Sequence, residues 1–218
     1  VPSYYDEDAA RETAEKELAV ARDYVELYTA ATTKLTRGEP TPLLLEEIAC
    51  DEDTLVAVGG GRLGRLLGIV AGSITSQMIH RAPCSVLVAR QAGDGFPRRI
   101  LVGVDGSVES AAAYAAARYL AERFDGALQT VVAGGGKGVD ARLVAAITDG
   151  EHDESRLRPV EALTAGARDA DLVVVGSRGL HGARSLGSVS ERVAHAASCS
   201  TLVVRLPVWQ RVADELGR

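Results

Sequence analysis

Aromatic side chains are scarce in this sequence: one Trp, two Phe and six Tyr in 218 residues. Proteins that hold single-stranded nucleic acid stack bases on such rings, and few are on offer here. Positive charge is short as well, with 24 Lys and Arg against 30 Asp and Glu and a net charge of −6. Binding to a phosphate backbone runs on clustered cations, so a nucleic-acid role is not expected. The three cysteines, Cys50, Cys84 and Cys199, are odd in number and show no C-x-x-C spacing, which argues against a disulfide scaffold or a zinc site. Cys84 and Cys199 stand before the apolar runs "SVLVAR" and "STLVVR", where small buried thiols suit a reducing compartment. No apolar run reaches the roughly 20 residues of a membrane span, and "VPSYYDEDAARE" is too acidic and polar for a signal peptide. The expectation is a cytoplasmic protein with no membrane partner.

What the chain does have is glycine, 23 residues, and a duplication built around it. "VAVGGGRLG" at 56–64 and "VVVGSRGLHG" at 173–182 both run from an apolar strand into a glycine loop. Beyond the loops the two halves stand 115 residues apart: Gly72-Ser73 and Gly187-Ser188, His80 and His195, Cys84-Ser85 and Cys199-Ser200, Arg90 and Arg205. Before the loops the offset is 117, with Pro42 matching Pro159 and Gly59 matching Gly176. The second loop is therefore two residues shorter. The halves divide at "QAGDGFPRR", which reads as a linker over 91–99, giving domains at 1–90 and 100–218.

In the second half, apolar runs alternate with helical stretches. Strand 100–105 precedes an Ala-rich helix over 108–124 and strand 127–133. A weak helix at 139–147 and a weak strand at 152–157 follow, then helix 159–169, strand 171–176, helix 188–197 and strand 200–205. Unbroken apolar strands joined by helices mean a parallel sheet covered on both faces, a doubly wound α/β fold. The first half repeats only the later part of this plan. Helix 6–24, with Ala14, Leu18 and Ala21 on one face, precedes strand 25–31 ("VELYTAA"). Helix 42–50, strand 54–59, the loop, helix 73–81 and strand 85–90 complete it. No counterpart of "ILVGVDGS", its helix or its next strand occurs, so the first domain lacks its opening strand–helix–strand here: either an N-terminal stretch is missing from the sequence, the favoured reading, or the first copy is truncated and completed by a partner. Strands 85–90 and 200–205 close their units and should be sheet edges, places to pair with another domain or chain.

Parallel sheets of this kind bind ligands beyond the carboxyl ends of their strands, where the strand order reverses. Gly176 and Gly179 let backbone amides come close to a ligand, and Gly187-Ser188 opens a helix whose amino end favours an anion. Ser188 and Glu191 also have the S-x-x-E spacing of a capping box, so Ser188 can cap as well as bind. Arg178 and His181 read either as phosphate contacts or as solvated loop charges. Two motifs look like more than they are. "GGGRLG" (59–64) matches a dinucleotide fingerprint but lacks the acidic residue that should end the next strand, and "AGGGKG" (133–138) lacks the glycine and Ser/Thr of a phosphate loop.

Taken together, "ILVGVDGS", "DADLVVVGSRG" and "GSVSERVAHAASCSTLVVR" make the chain resemble the universal stress protein family, as a tandem pair over nearly its whole length. In ATP-binding members, the resemblance implies a G-x-x-G-(nine residues)-G-S/T loop around phosphates and ribose, and an Asp ending the first strand on the adenine side. Here these are Gly176, Gly179 and Gly187-Ser188, with Val189 and Ser190 following and Arg178 between the glycines, and Asp105 as the acidic group. Asp105 equally suits a turn that starts the next helix. The second half has seven residues, Leu180–Leu186, where the pattern has nine. The first half keeps nine but carries Arg62 in place of a glycine, and its strand with the Asp is not in the chain.

The expected function is that of a regulatory protein binding ATP in the second domain, with Mg2+ only alongside the nucleotide and at most slow, incidental hydrolysis. No acid–base pair, Ser-His-Asp set or metal cluster stands ready for turnover. The alternative is a tandem module that has lost nucleotide binding and acts through dimerisation, as a homodimer or pseudo-dimer joined by edge strands. A hydrolase of the related S-G-G-x-D-S type is not supported by "VDGS". His80 and His195 recur at matching helical positions, which fits packing better than catalysis.

Overall fold

The computed structural model describes residues 7–48, 54–59, 74–90, 93, 95–134, 139–177 and 189–206. Its contacts divide the chain into two units, Val1–Glu39 and Pro40–Arg218.

In the first unit, α1 spans Glu7–Val25. Its outer surface carries i,i+4 pairs, Arg11 with Glu15 at 2.8 Å and Lys16 with Glu12 at 2.7 Å, exposed contacts of the kind that support a helix only weakly. Ala14 and Leu18 are half-buried, while Ala21 is exposed. The strand expected at 25–31 does not form. Residues 26–29 turn back on the helix end, with Tyr28 and Thr29 donating to the Val25 carbonyl, and Leu27 and Tyr28 stay exposed. The reason is the want of a neighbour. The corresponding strand of the second half, at 153–155, enters its sheet alongside the "ALQTVVA" strand, and residues 1–99 hold no counterpart of that strand to pair with.

The second unit holds α2 (Pro40–Ile48), β1 (Leu55–Gly59), α3 (Ile74–Arg81), β2 (Ser85–Ala89), β3 (Arg99–Gly103) and α4 (Val108–Phe124). Then come β4 (Ala127–Ala133), α5 (Ala141–Thr148), β5 (Asp153–Ser155), α6 (Pro159–Gly166), β6 (Leu172–Gly176), α7 (Val189–Ala196) and β7 (Ser200–Val204). The sequence places all of these within a few residues, including the weak β5. They build one seven-stranded sheet in the order β1-β2-β7-β6-β3-β4-β5. Within each half every pairing is parallel, and the order reverses between β3 and β6 as in doubly wound folds.

The closing strands are not edges. β2 and β7 pair with one another, antiparallel, with Leu87 opposite its own repeat mate Leu202. That register puts a pseudo-twofold axis between β2 and β7, and the polar contacts obey it. Arg90 N donates to Ser200 Oγ and Arg205 N to Ser85 Oγ, both at 3.0 Å. The Arg90 guanidinium donates to the Ala194 carbonyl at 2.7 Å, and buried Arg205 donates to the Ile79 carbonyl, the matching atom of the other half. His80 Nε2 lies 3.0 Å from Glu191 Oε1, and His195 Nε2 lies 2.8 Å from Ser76 Oγ. The two histidines thus belong to the join between the halves, as packing predicts.

Burial holds the His195 imidazole below its ordinary pKa; Glu191 opposes this, while Arg90 and His80 add to it. The unfolded chain then takes up a proton that the folded chain resists. Stability from this group is complete above the free imidazole value of about 6.5 and falls as the pH drops through the lower, folded value. Denaturation midpoints followed from pH 7.5 to 5 are expected to decline less steeply in His195→Gln than in the wild type. Parallel curves would assign the acid sensitivity to other groups.

One apolar layer is shared by both halves. Met78, Ile79, Val86 and Val88 from the first pack with Val173, Val193, Ala194 and Val203 from the second. The opposite layer, under Ala-rich α4, draws its buried members from the second half, with Leu87 of the first packed against it. β1 alternates accordingly: Val56 and Val58 are buried in the shared layer, while Leu55, Ala57 and Gly59 are exposed.

Candidate functional site

The strand order reverses between β3 and β6, and a cavity of about 390 Å3 opens at their carboxyl ends. Its floor is apolar, formed by Val131 and Ala133 of β4, Val139 and Leu163. Around the rim stand the amino ends of three helices and the residue two places before a fourth. Ser107 and Ser110 belong to the start of α4, Val139 precedes α5, Arg158 and Pro159 open α6, and Val189 opens α7. The positive poles of these helices favour an anion, although Pro159 has no N–H and Ser110 N is taken by Ser107 Oγ.

Asp105 is set where β3 gives way to α4. Gly106, at φ +82, makes the turn, a conformation that L side chains rarely adopt. Asp105 Oδ1 accepts from Ser107 N at 3.0 Å and from Ser107 Oγ at 2.5 Å, while Ser107 Oγ accepts from Ser110 N and caps α4. The turn role is therefore present, and it fixes the carboxylate at the mouth of the cavity.

Gly176 ends β6 and lines the same space. A Cβ here would collide with the Glu109 backbone in the first turn of α4, whose carbonyl carbon would lie 2.5 Å away. Close helix–strand packing alone requires glycine at this position. Val189 faces the cavity, whereas Ser190 is 4% exposed and does not line it. Arg178, Gly179, Gly187 and Ser188 lie outside the described residues, as do His181, Arg62 and Lys137.

Arg158 is a cavity residue that sequence patterning missed. It occupies the N-cap of α6 without a side-chain capping bond, and it has no ion-pair partner among the described residues. The signal available was Pro159, which marks a helix start and so puts the preceding residue at a strand's carboxyl end.

The universal stress protein family model matches residues 1–90 and 140–205. The chain belongs to this family. A universal stress protein of Mycobacterium tuberculosis and one of Mycobacterium bovis are each 29% identical to it over 92% of this chain and 78% of their own. The crystal structure of a universal stress protein from Archaeoglobus fulgidus superposes with a TM-score of 0.70, at 22% identity, over 91% of this chain and 78% of that one. A functionally unknown protein from Pseudomonas aeruginosa gives a TM-score of 0.65 at 18% identity, over 98% and 83%. At these identities the solved structures speak to the fold, and they agree with the tandem parallel-sheet architecture. No helix among the described residues is long and apolar enough to cross a membrane. Among the same residues, no cluster of His, Cys, Asp and Glu could hold a metal ion.

Proposed function

We propose that this universal stress protein binds an adenine nucleotide, ATP, in the cavity of its second half, and that the bound nucleotide regulates rather than reacts. The observation that carries this is the convergence on one cavity of about 390 Å3 of an anchored carboxylate, a guanidinium without an ion-pair partner among the described residues, and three helix amino ends. The volume suits a ligand of nucleotide size. The Val131, Ala133, Val139 and Leu163 surfaces suit a base. Asp105 has the chemistry to accept from ribose hydroxyls or a base amino group, and Arg158 and the helix ends that to hold phosphates. A magnesium ion would enter with the phosphates. The described lining includes no His, Cys or Lys to act as base or nucleophile, and Asp105 Oδ1 is already committed to Ser107, so at most slow hydrolysis is proposed.

Calorimetric titration of ATP tests this. The wild type should bind, and Asp105→Ala and Arg158→Ala should each weaken binding roughly 10- to 100-fold, the loss expected for one charged contact. Arg158→Ala should also lessen the salt dependence. Circular dichroism checks that α4 survives the loss of Asp105, since Ser107 still caps it. A folded, nucleotide-free wild type that takes up no ATP would overturn the proposal. The interaction-module reading would then stand, drawing on the exposed Val20, Tyr24, Leu27 and Tyr28.

A further inference from the structure

The helix that opens on the cavity is held in place by the other half of the protein. Val189, its first residue, lines the cavity. Two residues later Glu191 reaches across the pseudo-twofold join, with Oε1 3.0 Å from His80 Nε2 and 3.3 Å from Ser76 Oγ. At the far end, Ser76 Oγ meets His195 Nε2 at 2.8 Å. There the Arg90 guanidinium also donates to the carbonyls of Ala194 at 2.7 Å, Cys199 at 3.0 Å and His195 at 3.4 Å. Contacts from the first half thus grip α7 at both ends. The grip is also lopsided. Glu191 and Ser76 are repeat mates, so the carboxylate sits only on the helix that opens on the second half's cavity.

We infer that His80 is a positioning residue for this cavity: through Glu191 it fixes the amino end of α7 at the height where its N–H groups meet a ligand's phosphates. The inference rests on the nucleotide reading above. On this view the first half, whose own glycine loop carries Arg62, serves as a brace that makes affinity in the second half depend on side chains touching no ligand. Two states of one helix, biased from both sides, are enough for such coupling. Nucleotide binding must in turn tighten the join.

The test is a double-mutant cycle read by ATP titration on the full chain. His80→Ala and Glu191→Ala should each weaken binding about five- to tenfold, in the range of ordinary site–site coupling. The double variant should lose no more than Glu191→Ala alone, because that substitution already removes the contact with His80. His80→Gln, which keeps a polar side chain of similar reach beside Glu191, should recover most of the loss. Ser85→Ala is the control: it removes the bond to Arg205 N at the same join and leaves α7 untouched, so its affinity should match the wild type even if its melting temperature falls. Wild-type affinity in His80→Ala, strictly additive losses, or an equal loss in Ser85→Ala would each overturn the inference while ATP binding itself stands. Failure of the wild type to bind ATP would remove both proposals together.

Discussion

Gly176→Ala should destabilise the protein by about 1–3 kcal/mol or more, the usual cost of an extra methyl in a filled site, whereas Gly59→Ala should change stability by less than about 0.5 kcal/mol. The two glycines are repeat mates at the ends of β6 and β1, and sequence comparison treats them as equivalent. Their surroundings are not. A Cβ on Gly176 meets the backbone of Glu109 in α4, and backbone cannot step aside as a side-chain tip can; a Cβ on Gly59 meets nothing within 4 Å. α4 must therefore shift at its first turn in Gly176→Ala, which also displaces Ser107 and the Asp105 carboxylate it anchors. Urea denaturation of both variants measures the difference directly, and ATP titration should show the Gly176 variant weakened alongside its stability. Equal effects of the two substitutions would mean that α4 does not impose the glycine.

The second large effect concerns the join. Val203 is fully buried, opposite Val86 of the first half in the antiparallel pair and beside Val175 in the parallel one. Val203→Asp places a carboxylate in the layer shared by both halves, with apolar neighbours on that face. Burying an unpaired charge is among the few changes that exceed about 4 kcal/mol. For a protein of ordinary marginal stability this is most of the total. The expected outcome is a single loss of cooperative unfolding for the whole sheet, with the first half's Met78–Val88 core lost together with the second's. Hydrogen exchange reads this residue by residue: amides of β1 and β2 should lose protection along with those of β6 and β7. Survival of β3, β4 and β6 with only β1 and β2 exchanging would show that the halves fold independently.

Both predictions turn on contacts that the sequence does not display, although much else was legible. The period of the apolar runs and the Gly, Pro and Ser punctuation located the elements of the second unit to within a few residues. The 115-residue echo revealed the duplication, and the ends of strands 100–105 and 171–176 pointed to the crevice that Asp105 and Gly176 line. These features are local, and local backbone preferences write themselves into adjacent residues. Strand 25–31 shows where that logic stops. "VELYTAA" has the composition of a strand, but a strand is half of a pairing, and among the described residues this one has no partner to supply the ladder bonds.

The remaining features come from pairing between distant segments. "SVLVA" and "STLVV" are interchangeable as apolar strands, and nothing within either says that it lies antiparallel against the other rather than at an edge. Once they pair, the axis through Leu87 and Leu202 brings His80 to Glu191 and Ser76 to His195. Helix packing across β6 turns Gly176 from a possible ligand contact into a steric necessity, and the turn before Pro159 delivers Arg158 to the cavity. Each depends on segments many tens of residues apart meeting in one register. Apolar runs of the same composition satisfy many registers equally in isolation, and the choice among them is made by which helices and strands are available to cover each face.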